Sequence, residues 1–117
     1  MLIGELAART GTGPRLLRHY EATGLLTPRR RANGYREYTE ADVPRVRRIR
    51  TLLAAGLPTR VVASLLPCTT DTAAGPALTP CPGVPEALSR RLAELDERAG
   101  RLEAERTELR RLLTDLA

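Results

Sequence analysis

Nine positions near the C-terminus, Leu88, Leu92, Leu95, Ala99, Leu102, Arg106, Leu109, Leu113 and Leu116, succeed one another by alternating steps of four and three. That spacing is a heptad seam, and eight of its nine residues are apolar. The run from Glu86 to the end contains no proline, so it reads as one helix of about 30 residues, roughly 45 Å long at the usual rise. Nothing else in 117 residues is large enough to cover such a stripe. A second copy of the chain is therefore expected to cover it, making a coiled coil; the alternative is a helix folded back on the rest of its own chain. Arg106 interrupts the seam, and in a parallel pair it would face its own copy. An antiparallel pair sets the two guanidinium groups apart, with Glu103, Glu105 or a partner glutamate available to neutralise each. Gly100 weakens the helix locally by about 1 kcal/mol relative to alanine.

The remainder of the chain is too small to support a large core. Apolar residues make up 42% of the sequence, but the aromatics are three tyrosines with no Phe or Trp. A core of this scale rarely supplies more than about 3–5 kcal/mol, which is a further reason to expect a dimer. No apolar run approaches the roughly 18 residues of a membrane span, and the N-terminus lacks a signal peptide's charged and apolar regions. A cytoplasmic protein with no membrane partner is expected. One histidine, two cysteines and no glycine-rich phosphate loop argue against an enzyme. His19 lies in a basic segment with no nucleophile to serve.

All 19 basic residues are arginine. Residues 1–60 hold 12 of them against 5 acids, a net of +7, whereas residues 61–117 hold 7 against 9, a net of −2. A codon bias toward arginine affects both halves equally and does not account for this asymmetry. Planar guanidinium forks match phosphate oxygens in pairs, so a compact, strongly basic N-terminal module points to nucleic acid.

Three zones follow: residues 1–66 as a head, 67–85 as a connector, and 86–117 as the seam helix. In the head, Ile3, Leu6 and Ala7 give one apolar face of a short helix over about 3–9, broken by Thr10-Gly11-Thr12-Gly13. A second helix starts at Pro14, carries Leu17 and Tyr20 inward and ends near Gly24. Two short helices around a glycine-containing turn make a helix-turn-helix. Asn33-Gly34 then predicts a tight hairpin in which both residues take positive φ, with an arginine-rich tip (Arg29, Arg30, Arg31) and an exposed strand flanked by Tyr35 and Tyr38. The alternative is a solvated loop. Thr39 and Asp42 predict a capping box ahead of a third helix with Val43, Val46, Ile49 and Leu53 on one face, where Pro44 is expected to cost a hydrogen bond. A fourth helix, Pro58 to Leu66, presents Val61, Val62, Leu65 and Leu66. The connector contains five of the nine prolines and both cysteines and is expected to be non-helical.

The order of these pieces resembles one family. Ile3-Gly4-Glu5-Leu6-Ala7, Thr10-Gly11, Arg15-x-Leu17-Arg18-His19-Tyr20-Glu21, Gly24-Leu25-Leu26, Pro28, Asn33-Gly34-Tyr35-Arg36-x-Tyr38 and Asp42-Val43 resemble the MerR family of bacterial transcription regulators. The resemblance implies a mostly α protein: a winged helix-turn-helix head followed by a long antiparallel dimerisation helix. It implies a homodimer on a palindromic promoter, where the family untwists and bends an overlong spacer for RNA polymerase. Carried over by position, Arg15, Arg18, His19 and Tyr20 fall in the recognition helix. Arg18 is then expected on phosphate or a base edge, Tyr20 packs the helix and offers its hydroxyl to a phosphate, and His19 replaces the family's usual aromatic. Asn33, Tyr35 and Arg36 fall in the wing that grips the flanking backbone, with Arg30 and Arg31 near its tip; Arg50 is a further phosphate candidate.

The sequence ends at Ala117, still on the helix, so neither a ligand domain nor the cysteine pair that metal-sensing relatives carry beyond it is expected. Cys68 and Cys81 leave three readings open: two small buried residues, a disulfide or redox pair, or a thiolate-bound metal. A bond closing such a loop restricts the unfolded chain by about 3 kcal/mol, and cytosolic disulfides are usually redox-sensing. Two thiolates are too few for tetrahedral zinc, which leaves linear Cu(I) or four sulfurs shared across a dimer. A thiol-redox-responsive regulator, an inducer-independent repressor or architectural protein, and a metal-responsive regulator are the corresponding functions.

Overall fold

The computed structural model describes residues 1–117 as two compact units, Met1–Cys81 and Pro82–Ala117. The first runs α1 (Ile3–Thr10), α2 (Pro14–Ala22), β1 (Arg29–Arg30), β2 (Arg36–Glu37), α3 (Asp42–Ala54), α4 (Thr59–Leu65), a 3-10 turn (Leu66–Cys68), β3 (Thr69–Thr72) and β4 (Gly75–Leu78). The second is a single helix, α5 (Val84–Asp115).

The head is built as its apolar periodicity dictates. Leu6 from α1, Leu17 and Tyr20 from α2, and Val46 and Ile49 from α3 are buried, and Leu25, Leu26 and Leu57 close the core from the loops. On α3 the face is completed by Leu52 as well as by the half-buried Leu53. Gly11 terminates α1 in the left-handed region at φ 64°, its N–H donating to the Ala7 carbonyl. Gly24, at φ 81°, ends α2, and Leu25 N–H returns to the Tyr20 carbonyl at 2.8 Å. Both are positions where a β-carbon is disfavoured.

The wing differs from the two-residue hairpin expected at Asn33-Gly34. No residue other than glycine takes positive φ. The turn instead spans Arg31 to Gly34, with Gly34 N–H on the Arg31 carbonyl at 2.9 Å and Gly34 at φ 84°. Asn33 contributes through its side chain, whose Oδ1 accepts the Tyr35 N–H at 3.1 Å. The strands pair Arg29 with Glu37 and Arg30 with Arg36.

Tyr38, which the sequence places with Val43 as a hydrophobic staple ahead of α3, is 2% accessible and Val43 4%, and the Tyr38 backbone exchanges hydrogen bonds with Met1 in both directions, each 2.6 Å. At α3 only half of the capping box forms: Asp42 Oδ2 accepts the Thr39 N–H at 2.8 Å, and no hydroxyl caps the helix. Pro44 costs nothing there. It is the third residue of α3, and its missing N–H belongs to the first turn, which has no intrahelical acceptor.

The expected connector is largely a second hairpin. β3 and β4 pair Thr69 with Leu78 through Thr72 with Gly75, and Pro76 occupies a strand position opposite Asp71. A two-stranded ribbon has only edges, where proline is tolerated. This hairpin clusters with the helices before it in the compact unit Met1–Cys81.

α5 starts at Val84 with Pro85 in its first turn, two residues before the expected start. Its Leu88, Leu92, Leu95, Leu102, Leu109, Leu113 and Leu116 are exposed in the single chain, joined by Leu112. Arg106 pairs with Glu103 at 3.7 Å, one of the neutralising contacts expected.

Candidate nucleic-acid interface

α2 begins at Pro14, and burial of Leu17 and Tyr20 fixes which face points away from the core. That outward face carries Arg15, Leu16, Arg18 and His19, all exposed. The ion pairs of the head engage Arg9, Arg30, Arg31, Arg36 and Arg48, and none engages Arg15 or Arg18. Their donors are open to an outside acceptor. Tyr20 is different, because its ring is 2% exposed. Burial pushes its phenol above the ordinary tyrosine value, opposed by the charge of Arg50, so packing is the part of its expected role that the structure brings out.

The wing is tied to α2 by one residue. Glu21, with its side chain 19% exposed, accepts from Arg36 Nε and, at 3.3 Å, from Arg30 Nη2. A single carboxylate thus holds both wing strands beside α2. At the tip Arg31 donates to Glu37, whose carboxyl it holds below the usual range. Arg30, Arg31 and Arg36 are therefore partly neutralised within the head, whereas Arg29 has no acidic side chain bound to it. Tyr35 is 64% exposed. Together with Leu2, Ile3, Gly4, Glu5, Arg18, Gly34 and Arg36 it lines a groove of about 470 Å³ between the wing and the helix-turn-helix.

Arg50, the further phosphate candidate, also holds the turn. Its Nη1 donates to the Thr10 carbonyl (3.2 Å), the Gly11 carbonyl (3.1 Å) and Thr12 Oγ1 (2.9 Å). These three acceptors form the link between α1 and α2, so one guanidinium nitrogen holds the helix-turn-helix at its joint. Arg50→Ala is expected to lower stability by about 1 kcal/mol through loss of its hydrogen bonds to the turn. Thermal melting is the readout, with the midpoint falling by at least about 4 °C for a domain of this size.

Sequence reasoning also missed Glu21 and Arg45, whose Nε donates to the Leu25 carbonyl at 2.7 Å. Glu21 stands nine and fifteen residues from its partners, and no helical or strand period links such positions.

The two cysteines meet beneath the second hairpin. Cys68 and Cys81 form a disulfide with 6.1 Å between their Cα atoms. Thr79 secures the closure, its N–H and hydroxyl both donating to the Cys68 carbonyl (2.7 and 2.9 Å), with its hydroxyl 3.3 Å from Cys81 Sγ. No group of three or more His, Cys, Asp or Glu side chains within the chain is arranged to hold a metal. The hairpin is fastened to α3 by Arg48, which reaches Asp71 through Nε (3.1 Å) and Nη2 (2.7 Å). That hydrogen bond, before any other cause, holds the Asp71 carboxyl below its ordinary value. Its contribution is therefore present at neutral pH and is lost as acidification protonates the folded-state carboxyl.

Residues 1–67 match the MerR HTH family regulatory proteins. The chain belongs to the MerR family. It is 33% identical over 116 residues to the HTH-type transcriptional regulator HmrR of Rhizobium leguminosarum bv. viciae, covering 99% of this chain and 83% of that one. Over 102 residues it is 35% identical to the HTH-type transcriptional activator TipA of Streptomyces coelicolor, covering 86% of this chain and 39% of TipA. In fold it is similar to MtaN, the N-terminus of the Bacillus subtilis multidrug transporter activator, with a TM-score of 0.72, 23% identity and 97% of each chain covered. HiNmlR, a MerR family regulator lacking the sensor domain and solved bound to promoter DNA, superposes with a TM-score of 0.53 at 20% identity over 97% of this chain and 77% of that one. The MerR-family chain is thus a DNA-binding transcription regulator with a winged helix-turn-helix head and a long C-terminal helix. No helix in it is long and apolar enough to cross a membrane.

Proposed function

We propose that this MerR-family chain works as a homodimer, joined antiparallel through α5, on a palindromic promoter that it distorts for RNA polymerase. The observation that carries the reading is the pair of unpaired guanidinium groups, Arg15 and Arg18, on the outward face of α2, next to a wing that Glu21 fixes in place. Two such heads at a set separation read two half-sites whose spacing follows from the dimer. Phosphate contacts from Arg15, Arg29 and the wing set the register, and Arg18 and His19 meet the base edges. Phase-sensitive gel mobility on a selected duplex, together with transcription in vitro, tests it. The expected result is a bent complex and a changed yield of open promoter. Binding to an undistorted duplex with repression alone favours the second reading, an occupancy repressor.

The signal in this proposal is thiol redox, supported by the bonded Cys68 and Cys81 and by the hairpin they close against α3. Reduction frees a loop of the connector and removes about 3 kcal/mol of restraint on the unfolded chain. Dithiothreitol is expected to lower the melting midpoint of the oxidised wild type by at least about 12 °C and to leave Cys68→Ser unaffected. The operator affinity of the wild type changes with it. Equal affinity in both redox states removes the signalling role and leaves the disulfide as a staple.

A further inference from the structure

Three large apolar side chains of the head are exposed: Leu2, Leu16 and Tyr35. Leu2 and Tyr35 line the groove beside the wing. Leu16 stands apart from it. It is the third residue of α2, in the first turn, and is 42% exposed while its neighbour Leu17 is fully buried. The core is complete without it. Gly13, Arg15, Leu16 and His19 line a shallow recess on this end of the helix, and nothing lies within 4 Å of the place a β-carbon on Gly13 would take.

We infer that Leu16 is a specificity-determining residue that reads the C5-methyl group of a thymine in each half-site. The inference rests on the proposed function, in which Arg18 and His19 meet base edges and α2 therefore lies in the major groove. Recognition helices meet base edges with their N-terminal residues, which is where Leu16 lies, and Arg15 and Arg18 supply the phosphate and hydrogen-bonding contacts around it. The thymine methyl is the one apolar feature that the major groove displays. An isobutyl group at that position has no hydrogen bond to offer and gains only by covering such a methyl. His19, on the next turn, walls the other side of the recess, so a methyl entering it leaves water on two sides.

Binding of the full chain to a duplex selected from a random-sequence pool, with each half-site thymine replaced in turn by deoxyuridine, tests this. The replacement removes the methyl and keeps every hydrogen-bonding group. The wild type is expected to lose affinity about three- to four-fold at one thymine per half-site, the factor for one buried methyl. Leu16→Ala is expected to keep its melting temperature, to bind the thymine duplex more weakly, and to show no thymine–deoxyuridine difference at that position. A wild type indifferent to deoxyuridine at every position, a selected half-site without thymine, or an undiminished ratio in Leu16→Ala each overturn the inference. Failure to select any sequence at all overturns the major-groove proposal beneath it, so the two are told apart.

Discussion

Leu102→Asp is expected to leave the head folded and to reduce binding to the selected duplex by at least about a hundredfold. Leu102 lies midway along the seam that runs from Leu88 to Leu116 and is 58% exposed in the single chain. In the proposed dimer it is buried against a second α5, where an unpaired carboxylate is strongly disfavoured. Losing the dimer separates two linked binding events, and linkage of that kind contributes about 10²–10⁴ in affinity with no new contact. Light scattering should give a monomer mass. The circular dichroism of the head should persist, because Leu6, Leu17, Val46 and Ile49 all belong to the compact unit Met1–Cys81. A variant that remains dimeric and binds as wild type contradicts the seam.

Arg18→Ala is expected to weaken operator binding by about 1–3 kcal/mol per head, the range for loss of one specific contact. Nothing within the head engages Arg18, so the substitution leaves no orphaned carboxylate and melting should be unchanged. Arg36→Ala should weaken binding within a similar range by a second route. It removes a wing cation and also frees Glu21 from one of its two partners, loosening the wing. Titrations at several salt concentrations separate the two. A lost phosphate contact lowers the slope of log affinity against log salt by about one per site, whereas a lost base-edge contact leaves the slope nearly unchanged. Wild-type affinity in both variants contradicts the assignment.

Much of this was legible in the sequence, because it rests on short-range periodicity. The apolar faces of α1 to α4, the glycines at 11 and 24, and the heptad spacing of α5 are each set by residues a turn apart. Less legible were contacts between elements. Arg50 reads as one more cation on a basic helix until the fold brings Thr10, Gly11 and Thr12 against it, some forty residues away in the chain. Arg30 and Arg36 read as free wing charges until Glu21 accepts from both. The hairpin at 69–78 was hidden by its prolines, which argue against a helix and say little against an edge ribbon. The packing of Tyr38 with Val43 follows from the local staple pattern, whereas its backbone pairing with Met1, 37 residues away, has no sequence signal. Leu16 was passed over because one apolar residue beside a buried leucine adds no periodic signal.

In the proposed dimer, two identical heads each place the outward face of α2 on one duplex. Hydroxyl-radical footprinting on the selected duplex, with the mass of the same complex measured by sedimentation, tests it most directly. Two chains per duplex and two protected half-sites related by a dyad are the result the structure predicts. One chain bound over a single continuous half-site, or protection that does not depend on sequence, would contradict it.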